Sequence, residues 1–393
     1  MSRRRPERGP GTPRSGAILV GLSLPDREGE PVDSLDELAL LLGSLGIETL
    51  GSVVQRRESP DPACLIGRGK AEEVRLFCLS RSARYVVVDE RLSPVQKSTL
   101  EKLTGATVWD RPFVIMKIFE RRAVTAEARL QVELALTRYE IPHLKGLGLQ
   151  MSRTGAGIGT RGPGETEFER HRRRLERRVR EISRKLENVR RQRRLVRDRR
   201  KKRGIPTVSL VGYTNSGKST LLKALSGDAS ILAEDRLFST LDTSVRRIVL
   251  PGGGAVLFSD TVGFIRNLPP ALVAAFRATL EEIREAELLL LLLDASAPEA
   301  MSTYEVIVDT LTEIECRELP RLLVLNKLDA IPPEEAESLA LALRAKGEDV
   351  LGISALQGTG LRGLLMSVER ELSSRSEWFT RPASFDALRF PGS

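Results

Sequence analysis

Residues 212–219 read Gly212-Tyr213-Thr214-Asn215-Ser216-Gly217-Lys218-Ser219, which satisfies the spacing G-x-x-x-x-G-K-[ST]. That spacing does chemistry in one setting, between the end of a strand and the start of a helix. There the backbone N–H groups surround phosphates, the lysine neutralises β- and γ-phosphate charge and the hydroxyl ligates Mg2+. The flanks agree, because Thr207–Val211 reads as a buried strand and a helical pattern begins near Lys218. Lys218 is therefore expected at the phosphates and Ser219 at a magnesium ion.

Four further motifs follow the phosphate loop. Asp260-Thr261-Val262-Gly263 closes the expected strand 255–260, which places the Asp260 carboxylate to hold the metal through water and the Gly263 N–H to meet a γ-phosphate. Asn326-Lys327-Leu328-Asp329 closes the apolar run that begins at Arg321. Guanine differs from adenine in its N1–H and 2-amino group, and the Asp329 carboxylate can accept from both, so GTP and GDP are the expected nucleotides. Ser354 and Ala355, after an expected strand 350–353, supply a backbone N–H toward the guanine O6. Between the phosphate loop and Asp260 lies Phe238-Ser239-Thr240-Leu241-Asp242, with Thr240 the expected switch threonine that joins Mg2+ only when a γ-phosphate is present.

The residue after Gly263 is Phe264, where many GTPases place a glutamine that orients the attacking water. Intrinsic hydrolysis is therefore expected to be slow, with Lys218, Thr240, Gly263 and Asn215 as the catalytic set. Asn215 has two readings, either as the asparagine of GTPases that recruit K+ beside the phosphates or as a hydrogen-bonding residue within the loop.

Positioning these residues requires a mostly parallel sheet. With 393 residues the chain has room for two or three domains. The expected division is a disordered basic tail over 1–16, a small parallel α/β domain over 17–122, a helical hairpin over 123–203, a P-loop domain over 204–374 and a short tail over 375–393. Strands are expected at 17–22, 49–54, 85–89 and 107–110, and helices at 33–45 and 94–103. The leucine run 288–293 is far short of the roughly 20 apolar residues that span a bilayer, and it reads as a strand buried on both faces. Cys64, Cys78 and Cys316 have neither metal nor redox spacing, which points to a reducing, cytoplasmic setting.

The charge is unevenly placed. The chain carries +9, yet residues 170–203 hold nineteen Lys or Arg against four Asp or Glu, so this stretch carries +15 and the remainder −6. An arm of one sign points to a polyanion, where a face shaped only for solubility would mix signs. Along the arm Leu175, Val179, Ile182, Leu186, Val189 and Val196 keep heptad spacing, interrupted at Arg193, so one apolar seam runs along a basic rod. Before it, Gly157, Gly159 and Gly162 spell G-x-G-x-x-G, the dinucleotide fingerprint, but the preceding stretch around 124–140 has helical spacing. A loop between two helices has no sheet edge to present a dinucleotide, so the glycines are expected at the tip of an antiparallel hairpin.

GYTNSGKST, FSTLD, DTVGF and NKLD, together with LIGRGKAEEV, LSPVQKSTLE, RLQVELA and GIGTRGPGE upstream, resemble the HflX family of GTPases, related to the Obg group, over nearly the whole chain. The resemblance implies a GTPase that binds the large ribosomal subunit and splits ribosomes under stress, with the glycine tip directed at the peptidyl-transferase region. The tip glycines would then let backbone approach RNA, with Arg153 and Arg161 adding phosphate contacts and Arg172, Arg173 and Arg177 continuing them along the arm. A monomer is expected.

An assembly factor that uses nucleotide as a structural switch is the alternative, and a membrane-surface role for the arm a third reading. The resemblance also brings an association of the first domain with ATP, for which Gly67, Gly69 and Lys70 are candidates, although G-R-G-K is not a full phosphate loop. This chain departs from the family at Thr243, where a proline is usual, at Ala156 in the tip, and in its short C-terminal segment.

Overall fold

The computed structural model describes residues 16–25, 31–153, 163–202, 205–228, 244–261, 263–264 and 283–374. Expectations for Phe238, Ser239, Thr240, Leu241, Asp242, Thr243, Val262, Ala156, Gly157, Gly159, Arg161, Gly162 and the tails over 1–15 and 375–393 lie outside these residues, while Gly16, expected to end the first tail, begins a strand paired with Glu48.

The first elements are β1 (Gly16–Ser23), α1 (Pro31–Leu45), β2 (Glu48–Arg56), α2 (Arg68–Arg81), β3 (Tyr85–Val88), α3 (Pro94–Thr104), β4 (Thr107–Asp110) and α4 (Arg111–Arg122). Their strands form a parallel sheet in the order β2-β1-β3-β4. Local sequence sets the boundaries. Ser93 and Gln96 form a capping box ahead of Pro94, and Gly105 ends α3 in the left-handed conformation. At the carboxyl ends of β3 and β4, Arg111 is fully buried and pairs with Glu37 and with Asp89 at 2.6 Å. Burial pushes the neighbouring Asp110 carboxyl up, although it accepts N–H bonds from Leu92 and Phe113 and the Tyr139 hydroxyl at 2.9 Å.

Helices α5 (Ala126–Arg153) and α6 (Pro163–Lys202) follow. The sequence pattern places the end of α5 near 140, ahead of Pro142, yet the helix continues through the proline. A proline removes one helical hydrogen bond and strains one turn, and the turns on either side remain available. Glu133 of α5 meets Arg178 of α6 at 2.6 Å, a contact well back from the connecting loop on both helices, as an antiparallel pair requires. Ile182 and Leu186 of the apolar seam are buried, while Leu175, Val179 and Val189 are half-buried.

The remaining elements are β5 (Thr207–Gly212), α7 (Lys218–Ser226), β6 (Ser244–Val249), β7 (Ala255–Asp260), β8 (Leu288–Asp294), α8 (Ala300–Glu313), β9 (Arg321–Asn326), a single 3-10 turn (Leu328–Ala330), α9 (Pro333–Ala345), β10 (Val350–Gly352) and α10 (Leu361–Ser373). The sheet order is β10-β9-β8-β5-β7-β6. All neighbours are parallel except β6, an antiparallel edge strand that the sequence pattern does not reveal because its face is interrupted by Arg246 and Arg247. The leucine run is β8, with Leu288 to Leu293 at most 1 % exposed, packed into the apolar layers on both faces. Each fully buried leucine contributes about 2 kcal/mol. By its contacts the chain divides into two compact units, Met1–Arg121 with Val132–Ser183 and Arg122–Gln131 with Arg184–Ser393.

Candidate nucleotide site

In an open parallel sheet the loops at the carboxyl ends of the strands gather at one edge, and ligand sites form there. β5, β7, β8, β9 and β10 end in Gly212, Asp260, Asp294, Asn326 and Gly352, so five loops supply the site.

The loop after β5 turns tightly into α7. Gly212 allows this because a Cβ there would lie 2.4 Å from the Leu292 carbonyl oxygen. Gly217 sits at φ +91°, and a Cβ on it would meet Asn326 Nδ2 at 2.2 Å. Asn215 is exposed and also left-handed, at φ 64°, a conformation that asparagine tolerates better than most residues. Its conformation alone thus accounts for an asparagine here.

Lys218, the first residue of α7, is buried and curls back over the loop. Its Nζ donates to the Gly212 carbonyl at 3.0 Å and the Tyr213 carbonyl at 2.7 Å. Burial lowers its pKa to about 8, against the smaller opposing pull of Asp260. A phosphate brought to this ammonium would favour the charged form and raise the pKa again. The Ser219 hydroxyl donates to Asp260 Oδ2 at 2.7 Å, with both residues more than nine-tenths buried. A hydroxyl beside a carboxylate is the oxygen donor set that a hard dication takes, so these residues fit Mg2+.

The 260–264 segment is fastened to the loop. Thr261 Oγ1 donates to the Leu210 carbonyl at 2.6 Å, the Thr214 N–H donates to the Phe264 carbonyl at 2.8 Å, and the Phe264 N–H donates to the Gly212 carbonyl at 2.9 Å. Gly263 packs so closely that an added Cβ would lie 2.9 Å from Thr214 Cα and 3.1 Å from Lys218 Nζ.

The base-reading end is built from two loops. Asn326 Nδ2 donates to the Ser216 carbonyl at 2.9 Å, and its Oδ1 accepts the Ala355 N–H at 2.9 Å, so one buried amide ties the phosphate loop to the 354–355 turn. Asp329 is exposed, its Oδ1 accepting from Ser354 Oγ at 2.5 Å, an arrangement that leaves carboxylate acceptor capacity for a base. Leu328 lies against Gly352, whose added Cβ would come within 2.7 Å of it. Lys327 is left-handed at φ 65°, and its Nζ pairs with Asp294 Oδ2 at 2.7 Å. Sequence reasoning missed Asp294, whose place as the carboxylate that ends a buried strand was the available signal.

The sequence-predicted residues thus divide into a group gathered around one sheet edge and a group on the hairpin. Gly212 to Ser219, Asp260, Thr261, Gly263, Asn326 to Asp329, Ser354 and Ala355 belong to the first. Arg172, Arg173 and Arg177 lie on α6, and Arg153 is the last residue of α5, so the glycine motif does follow a helix and the dinucleotide reading has no strand to rest on.

A phosphate loop, a metal-type hydroxyl–carboxylate pair and a base-reading turn on a mostly parallel sheet define a P-loop GTPase. Family models agree by region. Residues 32–120 match the GTP-binding GTPase N-terminal domain, 122–200 the GTP-binding GTPase middle region and 207–327 the 50S ribosome-binding GTPase domain. GTPase HflX of Caldanaerobacter subterraneus subsp. tengcongensis is 43% identical, covering 92% of this chain and 81% of its own. GTPase HflX of Escherichia coli K12 is 40% identical over 91% of this chain and 83% of its own. The chain belongs to the HflX family of GTPases. Among solved structures, that of SsGBP in complex with GDP covers 92% of this chain and 99% of that chain at 24% identity and a TM-score of 0.49.

Proposed function

We propose that this protein is a Mg2+-dependent GTPase that binds the large ribosomal subunit through its basic hairpin and splits ribosomes. The observation that carries the ribosomal part is the exposed arginine face of α6. Arg170, Arg173, Arg174, Arg177 and Arg180, with Glu176, line a groove of about 580 Å³. Five arginines around one acid hold a positive potential that a phosphate backbone relieves, and arginine forks match phosphate oxygens bidentately. Among the sequence-predicted contacts, Arg173 is exposed and bound to Glu169 at 2.8 Å, while Arg172 is more covered and 3.6 Å from Glu176. Such exposed pairs are weak, about 0.2–0.5 kcal/mol, and yield to a polyanion. The match over 207–327 to a domain described as a 50S ribosome-binding GTPase supports the same partner.

At the nucleotide site Lys218 neutralises the phosphates, Gly263 meets the γ-phosphate, and Asp329 with the 354–355 turn selects guanine. Ser219 would hold the magnesium ion directly and Asp260 through water. When bound, Mg2+ supplies neutralisation of the charge on the β- and γ-phosphate oxygens. Thr240 completes the switch. No helix among the described residues is long and apolar enough to cross a membrane, and we place the protein in the cytoplasm as a monomer.

Light scattering of intact ribosomes tests the reading. Addition of protein and GTP is expected to lower the signal as subunits part, and GDP is not. A signal that stays constant, with the protein associated only with immature subunits, would favour the assembly reading instead.

A further inference from the structure

Thr214 holds the most unusual side chain of the phosphate loop. It is 7 % exposed, and its hydroxyl has no hydrogen-bond partner among the described residues. Its backbone N–H is held by the Phe264 carbonyl at 2.8 Å. A buried hydroxyl without a partner costs about 1–3 kcal/mol, so its retention at a site asks for a ligand group that satisfies it.

Its surroundings say which group. Thr214 Cγ2 and Lys218 Nζ both come within 3.1 Å of the position of a Cβ on Gly263. The threonine methyl therefore lies over Gly263 beside the ammonium assigned to the β- and γ-phosphates, and the hydroxyl, borne on the same Cβ, is within reach of that space. The adjacent Phe264 is buried and has no side-chain group able to orient water. Resting on the assignment of this site to GTP hydrolysis, we propose that Thr214 is a catalytic residue whose hydroxyl hydrogen-bonds the attacking water beside the γ-phosphate.

The step balances without an acid or base from Thr214. The water oxygen forms a bond to the γ-phosphorus, and the bond from phosphorus to the β,γ-bridging oxygen breaks. Its electron pair leaves with GDP, and both protons of the water end on inorganic phosphate. The threonine hydroxyl accepts a hydrogen bond from the water and donates its own to a γ-phosphate oxygen, which fixes the line of attack. A residue that acts here touches nothing in GDP, so its effect belongs to turnover and not to product binding.

The experiment compares wild type, Thr214→Val, Thr214→Ser and Thr214→Ala in the full chain with Mg2+. Single-turnover hydrolysis of radiolabelled GTP is read beside the affinity for a fluorescent GDP analogue and the melting temperature. Thr214→Val keeps the shape and loses the hydroxyl, so hydrolysis is expected to slow by about tenfold or more, with GDP affinity changed less than about threefold. Thr214→Ser is expected to recover most of the lost rate, and Thr214→Ala to match the valine variant should the latter fold poorly. Equal rates for wild type and the valine variant would overturn the Thr214 proposal while leaving the site intact, as would a parallel loss of GDP affinity in Val and Ala. A wild type with no GTP turnover would sink the site assignment and this proposal together.

Discussion

The Asp329 carboxylate, proposed to read the base, is held by Ser354 Oγ and left open to solvent. Replacing it by asparagine turns an acceptor into a partial donor, and the 2-oxo group of xanthine needs that donor. Asp329→Asn is therefore expected to weaken GTP binding and to favour xanthosine triphosphate, measured by competition against a fluorescent GDP analogue. A variant that keeps its guanine preference would remove Asp329 from the base site.

Lys218 makes a second prediction at the same scale, through its pKa. Burial holds it near 8 in the protein alone, below the ordinary lysine range. Between pH about 8 and that range the folded protein binds fewer protons than the unfolded chain, so this group makes stability rise with pH there and costs most below 8. Phosphate reverses the preference by favouring the ammonium. GTP binding is thus expected to take up a proton above pH about 8 and to weaken as pH rises further. Calorimetry in buffers of different ionisation enthalpy measures that uptake, and its absence in Lys218→Met would assign it.

At the scale of the element, α6 presents two opposite faces, one buried and one proposed to bind phosphates. Ile182 and Leu186 are buried, whereas the exposed arginines stand in a groove on the other side. Their energetic meaning lies in counterion release, which makes the salt slope of binding a count of phosphates engaged. Replacing Arg170, Arg173, Arg174, Arg177, Arg180 and Arg184 by glutamine keeps helix propensity and size while removing charge. Subunit affinity is expected to fall and its salt slope to flatten, with the intrinsic GTPase rate nearly unchanged, in pelleting assays across a salt series. An unchanged slope would return this face to simple solvation.

β8 shows the opposite kind of element. Its leucines have no chemistry, and their burial on both faces fixes where Asp294 emerges to meet Lys327. Truncating Leu290 to alanine is expected to cost about 2–5 kcal/mol in denaturant unfolding, because close-packed layers relax little around the cavity.

For the whole molecule the question is what adds catalytic order beyond that proposed for the Thr214 hydroxyl. Phe264 offers no hydrogen bond, and Asn215 is explained by its left-handed backbone as readily as by a cation. Hydrolysis in KCl and NaCl at equal ionic strength, with and without large subunits, separates the sources. A K+ requirement abolished in Asn215→Ala would assign a cation beside the phosphates. Acceleration by subunits that is equal in both salts assigns the order to the ribosome, and this is the outcome we expect from the backbone geometry of Asn215.

The nucleotide motifs were legible in the sequence because each depends on local geometry. A phosphate loop needs its glycines at fixed offsets, and a carboxylate at the end of a buried strand must emerge at the ligand edge of a parallel sheet. The strand and helix positions around them followed from apolar periodicity, and β8 from a run too short for a membrane and too apolar for a surface. Chain separation hid the rest. Asp294 and Lys327 become partners only because β8 and β9 lie side by side, and Asn326 reaches Ser216 and Ala355 only across three loops. The orphan hydroxyl of Thr214 is likewise a property of what surrounds it, and burial is decided by tertiary packing. Pro142 marks the limit of local rules. Its ring argues for a helix end, yet α5 runs through it, because losing one hydrogen bond does not outweigh the turns that continue on either side.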